Sequence, residues 1–156
     1  MKHMKKVLGF VLAGMMLVLC AACGSPKKET GVCTYEQDGY TVKFILEAEN
    51  DVVQKITQVS TLDISLYTED DVALIEESMD EFKQVYAEIN GVEYSVEYTD
   101  TELAETIVID ASNSETMETL AENDLLPIEG EGTKISLAKT VESLESQGWT
   151  AEVTEE

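Results

Sequence analysis

The stretch TEDDVALIEESMDEFKQVYAEINGVEYSVEYTDTELAETIVID, residues 68–110, changes its hydrophobic period half-way along. In its first half Val72, Ile75, Met79, Phe82, Tyr86 and Ile89 follow one another at spacings of three and four, the single apolar stripe of an amphipathic helix. Thr68 is a good N-cap, and Asp71 stands three residues on, where a capping box places its reciprocal acceptor. Glu69, Asp70 and Asp71 crowd the first turn, where the helix dipole favours negative charge. Asn90-Gly91 supplies the stop, so the pattern predicts a helix over 70–90. A coiled-coil seam toward a partner is the sharper reading of the 3/4 spacing. The stripe spans under three heptads, which favours packing on the protein's own sheet. Beyond Gly91 the period drops to two. Val92, Tyr94, Val96 and Tyr98 alternate with Glu93, Ser95 and Glu97, a half-buried strand. Thr99 to Thr101 turns the chain into a short strand at Thr106 to Asp110.

Upstream, Tyr40, Val42, Phe44 and Leu46 alternate with Thr41, Lys43, Ile45 and Glu47. Gln37-Asp38-Gly39 is a turn signal, so Val32 to Glu36 is expected to pair with this strand through a hairpin. Glu49-Asn50-Asp51 is a second turn. Val52 to Ser65 is dense in β-branched residues, with Leu62, Ile64 and Leu66 on one face and Ile56 to Val59 out of phase, which predicts a bulge or bend. Downstream, Ser112 with Glu115 reads as a second capping box opening a short helix through Met117, Leu120 and Ala121. Asn123 to Thr133 is loop-like. A last helix starts at Ser136, shows Leu137, Val141 and Leu144 on one face, and ends at Gly148. Trp149 to Val153 is a final strand, and the acidic tail is expected to fray. The prediction is one α+β domain, residues 32–154: a mostly antiparallel sheet opening with a meander, carrying the 70–90 helix and the C-terminal helix.

The N-terminus follows a different logic. Lys2, Lys5 and Lys6 precede the uncharged run Val7 to Leu19, and small residues lead to Cys23. Residues 1–22 look like a bacterial lipoprotein signal, with Cys23 as the lipid attachment residue. Ala21 and Ala22 suit a signal peptidase before Cys23, whereas Val18 and Leu19 before Cys20 suit it badly. The pattern departs from the usual one in having Cys20 where such signals carry Leu. The competing interpretation, an uncleaved spanning helix, needs about 20 apolar residues, slightly more than the run provides. Gly24 to Gly31 completes a tether, residues 23–31, too short to place the domain far from a bilayer.

Composition excludes several function classes. Removing residues 1–22 from the 156 leaves 134, enough for one domain with a core. That portion carries seven lysines, no arginine and all 32 acidic residues, a net charge of −25. Nucleic-acid binding needs clustered Lys or Arg and is excluded. Electrostatic adhesion to anionic lipid is disfavoured by the same sign, so the covalent lipid has to hold the protein at the membrane. The lone histidine, His3, lies in the signal. Ser–His–Asp and Cys–His constellations therefore lack an imidazole, and zinc lacks ligands. Glycine-rich phosphate loops and nucleophile elbows are absent from the sequence. No His or Arg is available to lower the Cys33 pKa and carboxylates would raise it, so Cys33 reads as a structural residue. Carboxylate pairs are too abundant to be specific. No EF-hand pattern appears, and Glu129-Gly130-Glu131-Gly132 offers at most weak divalent binding. Catalytic, cofactor and metal residues are accordingly expected to be none. The loop Tyr98-Thr99-Asp100-Thr101 is the most distinctive polar stretch, read either as a small recognition surface or as a plain turn.

Gly91 to Asp110, GVEYSVEYTDTELAETIVID, resembles the central segment of the YehR-like bacterial lipoproteins. There a G-V-E-x-x-x-x-Y-T-D-T run leads to a V-T-I-D strand. Ile135 to Val153, with its helix, Gly148 and Trp149, is similar to that family's C-terminal end. The resemblance covers most of the chain after Cys23 and is weaker in the first strands. It implies a small α+β domain behind a lipid anchor and no established activity. Only Cys23 carries over as a functional position. The expected function is a non-catalytic accessory lipoprotein of the cell envelope, membrane-held through Cys23, with an envelope protein or small ligand as partner. The alternative is a carboxylate- or Lys-dependent envelope enzyme. A two-lobed solute receptor would need a longer chain.

Overall fold

Alternation of apolar and polar residues builds a six-stranded antiparallel sheet, and one helix-forming stripe after another covers its inner face. The computed structural model describes residues 25–126 and 134–155. The strands are β1 (Lys28–Gln37), β2 (Tyr40–Glu49), β3 (Val52–Asp63), β4 (Val92–Tyr98), β5 (Glu102–Asp110) and β6 (Thr150–Glu155). The helices are α1 (Glu69–Ala87), α2 (Ser114–Glu122) and α3 (Leu137–Ser146). Sheet order is β4-β5-β3-β2-β1-β6. The opening meander and the mostly antiparallel α+β plan agree with the sequence reading.

On β2 the alternation works as read. Val42, Phe44, Leu46 and Ala48 are buried, while Lys43 and Glu47 face solvent. On β3 the register slips between Ala48↔Val53 and Glu47↔Lys55, leaving Gln54 unpaired. The expected bulge is thus present but lies before Ile56. It puts Val53 and Ile56 on the core side together. Beyond Asp63 the chain makes a single 3-10 turn, Ile64–Leu66, rather than more strand.

Several boundaries differ from expectation. β1 begins at Lys28, so residues 28–31 of the expected tether are strand. They are held by ladders on both sides, Lys28↔Glu49 on β2 and Glu29↔Glu155 on β6. The same pairing orders the C-terminal tail through Glu155, against the fraying that its acidic composition predicts. The Lys27 ammonium adds contacts to Glu29 at 2.9 Å and Glu155 at 2.7 Å. Gly31 is buried within β1, and a Cβ there would stand 2.7 Å from Leu137 Cδ1. Its role is to let α3 approach the sheet, a packing role that its place in a polar, flexible-looking stretch conceals. β5 starts at Glu102, four residues before the predicted strand, because β3 continues the ladder to Asp63↔Glu102.

The expected capping box of α1 is present. Thr68 Oγ1 accepts from the Asp71 N–H, and the Asp71 carboxylate accepts from the Thr68 N–H. The helix stops at Ala87, three residues short of the predicted 70–90, and Gly91 turns with φ +80°. A Cβ at Gly91 would lie 2.5 Å from Thr116 Oγ1, whose hydroxyl donates to the Asn90 carbonyl at 2.8 Å. That contact locks α2 onto the turn. The α2 N-cap is Asn113, not Ser112: Asn113 Oδ1 accepts from the Glu115 and Thr116 N–H groups, while the Ser112 hydroxyl donates to Asp110. α3 begins at Leu137, one residue after the expected start, and Ser136 is its N-cap, its hydroxyl accepting from the Lys139 N–H at 3.2 Å. It ends before Gly148, after which Trp149 packs against Phe44 and Tyr35 at centroid distances of 5.2 and 5.5 Å.

Helix α1 departs most from expectation. It packs along β4, an edge strand. Tyr86 is its sole buried residue, stacked on Tyr94 at 5.3 Å, and Ile89 is buried just beyond its end. Val72, Ile75 and Met79 are only partly covered, and Phe82 is 43% exposed. The apolar stripe is therefore only partly used by the protein's own sheet.

Candidate functional site

The β1–β2 hairpin end of the sheet carries an open cleft of about 520 Å³ lined by Glu36, Asp38, Asp63, Glu102, Tyr40 and Thr61. Turn chemistry accounts for part of this set. Asp63 Oδ1 accepts from the Ser65 N–H at 3.0 Å and so caps the 3-10 turn. Among the described residues no group of three or more His, Cys, Asp or Glu has a geometry that could hold a metal ion. A second cleft, about 580 Å³, lies at the opposite end between Lys55, Gln54, Gly91, Val92, Glu93 and Asp110. Its Lys55 ammonium is held by Glu47 at 2.8 Å, and that hydrogen bond raises the lysine pKa. Lys27 is raised likewise, first by Glu155 and then by Glu29. A lysine acting as nucleophile or base needs the reverse shift, from desolvation or a neighbouring cation.

The sequence-selected residues are distributed as follows. Cys23 and the acidic Glu129–Gly132 loop lie outside the described residues. Cys33 is fully buried on β1, and burial, with a smaller contribution from Glu145, pushes its thiol pKa up, away from reactivity. Tyr98-Thr99-Asp100-Thr101 is the β4–β5 turn. Thr99 Oγ1 accepts from the Glu102 N–H at 2.9 Å, and the Thr99 N–H donates to the Glu102 carbonyl at 2.8 Å. These are local turn bonds, and the loop meets neither cleft through Thr99 or Asp100.

Two polar arrangements escaped the sequence reading. Tyr94, under α1, donates to Glu105 Oε1 at 2.8 Å across the β4–β5 ladder, with Met79 Sδ 3.4 Å from the hydroxyl. Burial first, then this bond, pushes its phenol well above the ordinary tyrosine range. Asp51, in the β2–β3 turn, reaches across to the start of α3. Its carboxylate accepts from the Ser136 hydroxyl at 2.7 Å and the Ala138 N–H at 2.8 Å, and its carbonyl accepts from the Leu137 N–H at 2.9 Å. The Ala138 bond, then the Ser136 bond, lowers the Asp51 pKa. Both arrangements position elements.

Residues 29–150 match the family model described as "Protein of unknown function (DUF1307)". The chain belongs to this family. It is 29% identical to an uncharacterized lipoprotein of Listeria monocytogenes, over 96% of this chain and 97% of that protein. A second uncharacterized lipoprotein, from Listeria innocua, is 29% identical over the same shares. The fold is similar to the NMR structure of the Escherichia coli YehR protein, with a TM-score of 0.61 and 19% identity over 82% of this chain and 93% of that one. It is also similar to an NMR structure of a Streptococcus pneumoniae protein, with a TM-score of 0.52 and 10% identity over 82% and 86%. DUF1307 membership and the YehR-like fold agree with the resemblance read at Gly91–Asp110. No helix among the described residues is long and apolar enough to cross a membrane.

Proposed function

We propose that this DUF1307 chain is a lipid-anchored, non-catalytic binding module of the cell envelope, tethered through Cys23 on the outer side of the membrane. The observation that carries the anchor is the match, nearly end to end, with relatives named as lipoproteins, in a chain that opens with a charged and then apolar leader before Cys23. Support for a binding rather than catalytic role comes from residue supply. His3 is the one histidine and arginine is absent, and Lys27 and Lys55 are raised rather than lowered in pKa.

The test is metabolic palmitate labelling of the full chain in its bacterial host. Label is expected on the wild type and on Cys20→Ser, and is expected to vanish on Cys23→Ser. Label that persists in Cys23→Ser and is lost in Cys20→Ser would move the anchor, and label on none of them would end the lipoprotein reading.

A further inference from the structure

Five of the eight large hydrophobic residues most exposed among the described residues fall between positions 66 and 85: Leu66, Tyr67, Leu74, Phe82 and Val85. Leu74 is 63% exposed. On an α-helix at 3.6 residues per turn, Leu74, Phe82 and Val85 lie within about 80° of one another. Leu74 and Val85 thus widen, on the Phe82 side, the apolar stripe of the partly covered Val72, Ile75 and Met79. The helix is fastened near its C-terminal end, where Tyr86 and Ile89 are buried, and residues 69–78 include no buried side chain. Exposed apolar residues scattered singly are ordinary, but a run gathered on one helix face marks an interaction surface.

Charge decides what fits it. Asp70, Glu77 and Glu81 share a line of about 40° directly beside Leu74 and Val85. Lys83, the single basic residue of α1, stands roughly 140° around the helix from the stripe. A second copy of this chain would bring acidic line against acidic line, which like-charge repulsion opposes. An anionic bilayer is opposed for the same reason. A simple cation would gain nothing from Leu74 and Phe82. We infer that the exposed face of α1 docks a cationic amphipathic segment of a protein partner, its apolar side on Leu74, Phe82 and Val85 and its Lys or Arg residues on the Asp70–Glu77–Glu81 line. The inference names a partner class for the binding-module reading and rests on that reading for its biological setting. The mode is that of an amphipathic helix laid on an apolar face, with charge setting orientation and choice.

Fluorescence anisotropy of labelled 14-residue peptides provides the test, with the full chain in neutral phosphatidylcholine nanodiscs and empty nanodiscs subtracted. A Leu–Lys amphipathic peptide is expected to bind at least tenfold more tightly than a Ser–Lys peptide of equal charge or a Leu–Glu peptide. Leu74→Ser with Phe82→Ser, and separately Glu77→Lys with Glu81→Lys, should each weaken Leu–Lys binding about tenfold. Val153→Ser, at an exposed apolar position on β6, should leave it unchanged. All the changed side chains are exposed, so circular dichroism should match the wild type. Equal binding of Ser–Lys and Leu–Lys, indifference to Leu74 and Phe82, equal loss on Val153→Ser, or self-association of the chain through α1 would each overturn the inference. Loss of palmitate labelling with these peptide results intact would remove the anchor and leave the docking face standing.

Discussion

Single side chains and single missing side chains settle how the layers meet. Gly31 has no Cβ where Leu137, itself 2% exposed, presses on the sheet. Gly31→Val overpacks that contact and should destabilise the domain by about 1–3 kcal/mol in urea unfolding. Leu137→Ala in the same chain should recover part of the loss, giving a non-additive double-mutant cycle. Asp51 acts through charge. Its folded pKa lies below the ordinary 3.8, so the carboxylate adds stability that is fully present above that value and is lost as pH falls through the lower folded pKa. Asn keeps the shape and tolerates φ +66° at this position but cannot titrate. Asp51→Asn should therefore show a smaller drop in Tm than the wild type on acidification from pH about 5 to 2. An equal drop in both proteins would contradict the assigned role. Neither residue announces itself: Gly31 sits in a stretch that reads as linker, and Asp51 in one that reads as turn, because their partners are about 85 to 106 residues away in sequence.

At the element scale, α1 combines a strong local signal with weak tertiary support. The Thr68–Asp71 box is local, so its residues alone predicted it. Thr68→Ala removes it and costs the helix about 1 kcal/mol. Residues 69–78 include no fully buried side chain, so much of that loss should appear as local opening rather than global unfolding. Hydrogen exchange is expected to be faster over residues 69–78 than near Tyr86 in the wild type. Thr68→Ala should widen that gap while moving Tm little. A shift of the whole exchange profile by one common factor would mean that α1 opens only with the entire domain. The stripe from Val72 to Ile89 correctly predicted a helix. Its spacing could not say how much of the stripe the sheet would cover, because that depends on α1 landing on the edge strand β4.

Across the whole molecule, the excess of acidic residues implies self-repulsion in the folded state. Screening by salt should raise stability, with most of the gain complete near 0.15 M, where the Debye length is about 8 Å. Tm should rise between 10 and 150 mM NaCl. Calcium at matched ionic strength is expected to add no more than NaCl does, because the sequence carries no EF-hand pattern. A calcium-specific rise at millimolar levels would point to a cation site. The sheet closes the chain on itself at this scale too: β6 returns to pair with β1, joining Glu155 to Glu29. That pairing explains why the acidic tail is ordered when its composition alone suggests fraying.

Local patterns determined the element types, the opening meander, the cap at Thr68 and the helix stop near Gly91. These depend on spacing within a few residues, where side-chain period and backbone hydrogen bonding act directly. The Gly91–Asp110 motif also carried family membership. Tertiary structure alone decided the strand order, the insertion of β5 against β3, the extension of β1 and β6, the Asn113 cap and the half-covered state of α1. Each depends on which surfaces meet across long loops. Burial is a property of the assembled pair of surfaces, and no single segment encodes its partner's position.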